Sequence, residues 1–230
     1  MPLYLAMTGA ELASCSHIPS QIGWLACHFS LSGPGLSNLP KTLPPHSLLI
    51  LDDSTPFADH QAEIIAGQLL DCVSSLDADG VILDFQRPKE PQVQDLVCIL
   101  QKKLPCPVAA PPGYGDGNCP VFLPPCPADQ LLKEHLKPFQ GRKIWLEVAL
   151  DGMHISVTET GCQKESVFFP DSQNFPHKDS HLHCRYRIEQ PKDAVNFSLQ
   201  RTRDDLQKLL EEAENLGVAG TVGLWQEFKN

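Results

Sequence analysis

Basic residues are scarce: 18 lysines and arginines stand against 28 aspartates and glutamates, a net charge of −10 over 230 residues. Neutralising a phosphate backbone takes clustered cations, so no nucleic-acid partner is expected. No run comes near the roughly 18 to 20 apolar residues of a membrane-spanning helix. Near Met1 no basic stretch leads into a long apolar one, so no membrane association and no secretory leader are expected. Ser/Gly-rich or charged linkers are also missing, which favours one domain over residues 1–230. The nine cysteines are odd in number and scattered, several of them (Cys27, Cys72, Cys98) inside apolar segments. They read as reduced thiols acting as small hydrophobes in a cytoplasmic protein.

What the chain does contain is a succession of short β-rich runs with helical stretches between some of them, the pattern of a parallel sheet with crossover helices. Eight strands are expected, at Leu3–Met7, Ile22–Phe29, Ser47–Asp52, Gly80–Phe85, Pro107–Ala110, Pro120–Leu123, Lys143–Ala149 and Gly220–Trp225. A helix capped by Asp59 and running to about Leu76 carries Ala62, Ala66, Leu69, Val73 and Leu76 as one stripe. A second starts at Pro91, with Lys102 and Lys103 near the negative end of its dipole. A third spans Thr202–Leu216, with Gly217 placed to stop it. "APPGYGDGNCP" (110–120) leaves no room for a helix. The order predicts a helix-poor (β/α)8 TIM barrel slightly below the usual length of about 250 residues. Residues 151–200 form an expected β-rich insertion between strands seven and eight, with "HISVTETG" and "ESVFF" as a hairpin and "CRYRIEQ" as a third strand. Another (β/α) barrel or an open α/β sheet is the alternative.

"LDADGVILDFQRPKEP" (76–91) holds the most informative strand end. Alternation puts Ile82, Asp84 and Gln86 on one side and Val81, Leu83 and Phe85 on the other, so Asp84 faces the barrel interior at its C-terminal mouth, where such barrels place their chemistry. Residues 79–86, "DGVILDFQ", resemble the fourth-strand motif of family 18 glycoside hydrolases, the chitinase-like barrels, written D-G-x-D-x-D-x-E. "GVAGTVGLWQEF" (217–228) is similar to that family's eighth strand, whose tryptophan floors the sugar pocket. The resemblance covers about 20 residues. It implies that Asp84 orients a substrate acetamide and that Trp225 underlies the sugar. It also implies that Gln86 occupies the place of the acid that protonates the glycosidic oxygen, with Ile82 in place of the middle aspartate. That substrate-assisted route departs from the usual two-carboxylate scheme. A carboxamide has no proton to release near neutral pH, so the family's mechanism is expected to be lost. Its amide still donates and accepts hydrogen bonds, which keeps recognition open. Strand three, "LLILDDS", and strand six, "CPVFLPP", depart from the family's Ser and Met-x-Tyr-Asp motifs.

Other carboxylates and aromatics are candidates by position: Asp52 and Asp53 at the end of strand three, Tyr114 after strand five, Glu147 within "IWLEVAL", and Asp151 and Glu227 past strands seven and eight. Glu147 stands out because an ionisable group in so apolar a strand must be paired or shifted in pKa. "HKDSHLHC" places His177, His181, His183 and Cys184 close together, but without zinc-finger spacing, and reads as a polar loop. No metal or cofactor is expected. The expected ligand is a carbohydrate or other small molecule. Asp84, Gln86, Trp225, Tyr114, Glu147 and Asp52 are the candidate binding residues, and Asp84 and Glu147 the candidates for any catalysis. Two alternatives stand beside this: a glycosidase using Glu147 or an aspartate after strand three as its acid, and a scaffold acting through 151–200.

Overall fold

A computed structural model describes residues 1–57 and 61–229, with the side chain of Ala26 left aside. The chain begins β1 (Leu3–Met7), α1 (Gly9–Ser14), β2 (Ile22–Phe29), β3 (Leu36–Ser37), β4 (Leu48–Asp52), α2 (Ala62–Leu76), β5 (Gly80–Asp84) and α3 (Pro91–Lys103). It continues with β6 (Val108–Ala109), β7 (Val121–Leu123), α4 (Leu132–Leu136) and β8 (Ile144–Val148). Then come β9 (Gly152–Thr158), β10 (Gly161–Ser166), β11 (His177–Asp179), β12 (Cys184–Glu189), β13 (Ala194–Gln200), α5 (Arg203–Asn215), β14 (Gly220–Leu224) and α6 (Trp225–Phe228). No helix among the described residues is long and apolar enough to cross a membrane. The chain forms two compact units, one of Met1–Leu123, Gly141–Leu146 and Ala219–Trp225, the other of Pro124–Gln140, Glu147–Val218 and Gln226–Asn230.

The first unit is built on a curled sheet in the order β6-β5-β4-β2-β1-β14-β8-β7, with the short β3 added antiparallel to β2. From β6 to β14 the paired strands run parallel, as do β7 and β8, and a parallel bridge joins Ala110, just past β6, to Val121 of β7. This is a TIM-barrel-like α/β fold, and each of the eight expected strands is present, within a residue or two at its ends.

Strand alternation sorts the apolar residues into two layers, as expected from the sequence. Tyr4, Ala6, Leu48, Ile50, Ile82, Ala109, Phe122, Trp145 and Val222 cluster on one face. Leu49, Leu51, Val81, Leu83 and Phe85 cluster on the other, against Ile65, Leu69 and Val73 of α2 and Leu96, Val97 and Leu100 of α3. Each fully buried aliphatic side chain contributes roughly 1.5–3 kcal/mol, so this helix-covered layer dominates the unit's stability.

Helix α3 has Pro91 in its first turn and its lysines in the last. For α2 the expected cap, Asp59, lies outside the described residues, and the helix ends on Asp77 in the left-handed region (φ 51°). Helix α1 was not expected. Thr8 and Glu11 form a capping box around its start, two reciprocal bonds that satisfy backbone donors the short helix cannot pair itself.

At the opposite strand ends from the aspartates of interest, Asp79 accepts from the buried Tyr4 hydroxyl at 2.7 Å and meets His46 Nδ1 at 3.0 Å. The first aspartate of the "DGVILDFQ" motif therefore ties the base of the sheet together.

The second unit contains an antiparallel sheet in the order β10-β9-β13-β12-β11. Five strands replace the three expected. The hairpin partner of β9 is Gly161–Ser166 rather than "ESVFF", because the chain turns as early as Thr158–Gly161. The unpredicted β13 pairs with both β9 and β12. The sheet's segment begins and ends side by side, with Arg201 N donating to Asp151 O at 3.0 Å. Helix α5 opens on a capping box between Thr202 and Asp205. It closes with Gly217 at φ +79°, a left-handed turn that glycine adopts without steric cost.

Candidate functional site

The strand register of the first unit sets three polar residues in a row. Asp52 is paired with His28 on one side and with Asp84 on the other, and register partners in parallel strands point to the same face. Asp84 follows Ile82 by two, so it extends the face that carries the Tyr4–Trp145 cluster. At this strand end a cavity of about 350 Å³ is lined by Asp52, Asp53, Ser54, Asp84, Gln86 and Arg87.

The three aspartates have different duties. Asp53 is buried and fully occupied: its carboxylate accepts the backbone N–H groups of Gln86 and Arg87, each at 2.9 Å. Arg87 returns the contact, its Nε donating to Asp53 O at 2.6 Å and its Nη2 to Ser54 O at 3.0 Å. The ends of β4 and β5 are thus stapled, and the backbone beneath Gln86 is held in place. Asp52 accepts from Ser54 N at 2.8 Å and lies 3.8 Å from His28 Nδ1. The ring's Nε2 is 3.3 Å from the Asn38 amide.

Asp84 is the least engaged of the three carboxylates. Its side-chain partner is Gln86, whose Nε2 lies 3.3 and 3.5 Å from the two oxygens, long and weak bonds. Loss of water raises the Asp84 pKa above its ordinary value, the Gln86 bond opposes this, and the charges of Asp52 and Asp53 add to it. The arrangement joins a poorly solvated carboxylate to an exposed carboxamide whose carbonyl oxygen has no hydrogen bond among the described residues, a pair able to donate and accept hydrogen bonds.

The structure brings Asp52, Asp84 and Gln86 together around this cavity. It places the other sequence candidates elsewhere. Trp225 does not complete β14 but opens α6, half-buried, just past Leu224, which pairs with Ala6 of β1. Tyr114 is buried in the helix-side layer, edge-on to Phe85 at 5.8 Å, with the Lys89 ammonium 5.3 Å from its ring centre. Glu147 is half-buried within β8 and belongs to the second unit. In that unit Asp151 accepts from Ala128 N and Glu227 from Leu150 N, each at 2.9 Å. Burial raises the pKa of both carboxyls.

The histidine-rich stretch disperses. His177 stacks on Tyr186, His183 meets Glu212 at 2.5 Å, Cys184 is fully buried and His181 is exposed. Among the described residues no group of three or more His, Cys, Asp or Glu is placed to hold a metal ion. None of the nine cysteines is in a disulfide. Burial pushes the Cys27 and Cys184 thiols up to about 12, as expected of inert core residues.

His28 and Arg87 escaped the sequence reading. A lone histidine in an apolar strand carries no motif, and only the pairing of β2 with β4 sets it beside Asp52.

No protein-family model matches the sequence, and no curated protein does. The fold, by contrast, is shared with solved structures at low identity. A chitinase-like agglutinin from Robinia pseudoacacia matches with a TM-score of 0.59 at 10% identity, over 98% of this chain and 95% of its own. A chitinase from Chromobacterium violaceum gives 0.58 at 10%, over 100% and 95%. A family 18 chitinase from Cycas revoluta, solved in complex with (GlcNAc)3, gives 0.58 at 10%, over 98% and 94%.

Proposed function

We propose that this chain is a chitinase-like (β/α)8 barrel, with 151–200 inserted between its seventh and eighth strands, that binds an N-acetylated carbohydrate at the strand-end cavity without the family's proton donor. The observation that carries this reading is the Asp84–Gln86 pair: an aspartate and a carboxamide where the motif has an aspartate and an acid. Gln86 spends one amide hydrogen on Asp84 and leaves Oε1 and the second hydrogen for a sugar hydroxyl or acetamide. Asp84 accepts from the acetamide N–H, and Asp52, which shares the cavity, is the supporting contact. The likeness in fold to a chitinase solved with (GlcNAc)3 supports the class of ligand.

Titration calorimetry with N-acetylglucosamine oligomers tests it. Binding should weaken about tenfold or more in Asp84→Ala and in Gln86→Ala, the loss of one or two ligand contacts. The wild-type protein should leave the oligomers uncleaved. Silence across a broad glycan panel would end the proposal.

A second reading has one observation of its own: the raised pKa of Asp84 keeps its proton to higher pH, as a general acid requires. It calls for turnover of a fluorogenic chitobioside that disappears in Asp84→Asn, with Glu147→Gln as the parallel test of the other candidate acid.

A further inference from the structure

The second unit carries a cavity of about 670 Å³, within the range of small-molecule sites. In a chain of net charge −10, three arginines line this one hollow, Arg185, Arg201 and Arg203, with Asp204 as the only carboxylate residue in its lining. They are not equivalent. Arg201 is buried and committed, donating to the carbonyls of Cys126, Pro127 and Leu182 and lying 3.9 Å from Asp151. Arg203 is exposed and has no hydrogen bond or ion pair among the described residues. Arg185 is half-buried, with one long bond of 3.5 Å to Gln173 O, and its Nε is buried without a partner. A half-buried guanidinium short of acceptors and with no ion pair among the described residues is costly, and an incoming oxyanion would relieve it with forked, charge-assisted bonds.

The wall of the cavity adds a second kind of contact. Phe168 is 61% exposed and makes no ring contact among the described residues. Its neighbour Phe169 is anchored: its N–H donates to Gln200 Oε1 at 2.7 Å, while Gln200 Nε2 donates to Leu150 O at 2.9 Å. Gln200 is fully buried, so the backbone next to Phe168 is held before any ligand arrives. An exposed ring in one cavity with two guanidinium groups short of acceptors matches a sugar whose apolar face stacks while its charged substituent is gripped.

We propose that this cavity binds an anionic saccharide, a sugar bearing a carboxylate or a sulfate, with Arg185 and Arg203 holding the oxyanion and Phe168 stacking on the ring. The site is separate from the Asp84–Gln86 cavity and stands whether or not that one binds sugar. Calorimetry on the whole chain with trigalacturonate, a heparin-derived sulfated disaccharide and neutral (GlcNAc)3 decides it. One of the two anionic probes should bind, identifying the substituent, and should bind less tightly as salt is raised. Affinity should fall about tenfold or more in Arg203→Ala and in Phe168→Ala, and stay unchanged in Asp84→Asn. Arg203 is exposed and unpaired, so its variant should melt with the wild type even if an Arg185 variant does not fold. Binding by neither anionic probe, or binding that survives Arg203→Ala undiminished, overturns the proposal.

Discussion

Replacing Asp53 by alanine tests whether the strand ends are held as described. Asp53 is only 7% exposed, and its two oxygens take the N–H groups of Gln86 and Arg87. Hydrogen bonds to a charged acceptor contribute about 1.5–3 kcal/mol each, and a donor left unpaired in the interior costs about 1–3 kcal/mol. Gln86 and Arg87 are exposed residues, so water reaches part of what Asp53 abandons. The lower half of the second range then applies, about 1–2 kcal/mol each and about 2–4 kcal/mol for the pair. For a chain of this size each kcal/mol moves Tm by about 2–4 °C, which sets the expected fall at about 4–16 °C by scanning calorimetry. Asp53→Asn should not rescue it, because one oxygen becomes an amide group facing a backbone N–H. Hydrogen exchange should locate the damage, with the Gln86 and Arg87 amides losing protection while those of β1 keep theirs. A Tm within about 2 °C of wild type, or uniform loss of protection, would refute the staple.

Three further outcomes follow from the same geometry. The raised pKa of Asp84 means that the folded protein holds this proton more tightly than the unfolded chain, so stability falls as pH rises from the ordinary carboxylate value of 3.8 through the folded value. Asp84→Asn should therefore melt higher than wild type at pH 7 and level with it near pH 3, and a constant offset across that span would contradict the assignment. A Cβ added at Gly220 would come within 2.5 Å of the Trp145 ring. Gly220→Ala should cost about 1–3 kcal/mol in urea unfolding and alter the tryptophan fluorescence; no change in either would show that the ring has room. Arg201→Met leaves three carbonyls without their donor and Asp151 without its cation, and about 3 kcal/mol or more should be lost, measured as faster proteolysis within 124–218.

The parallel strands were legible because each is a run of Val, Ile and Leu bounded by turn residues, and alternation correctly divided Val81, Leu83 and Phe85 from Ile82. The helices beginning at Pro91 and after Thr202 were marked by their caps. Helix α1 carried the same kind of signal, Thr8 three residues before Glu11, but at six residues it is too short to show a periodic stripe. β13 was passed over although "AVNFSLQ" alternates. It lies between two strands of its sheet, and that position is fixed by pairing with residues 7 to 48 positions away in sequence. The site divides in the same way. Asp84 and Gln86 could be read from one strand, whereas the duty of Asp53 depends on partners 33 and 34 residues distant, and the place of His28 on a register.

Because Asp151 and Arg201 meet through a backbone hydrogen bond, everything between them leaves and re-enters the chain at a single point. Closing such a loop costs little more as it lengthens, about 0.6 kcal/mol for each doubling. The polypeptide bracketed by these two residues can grow, shrink or change its character while the flanking strand β8 and helix α5 keep their spacing at the bracket. Novelty can collect there at low thermodynamic cost.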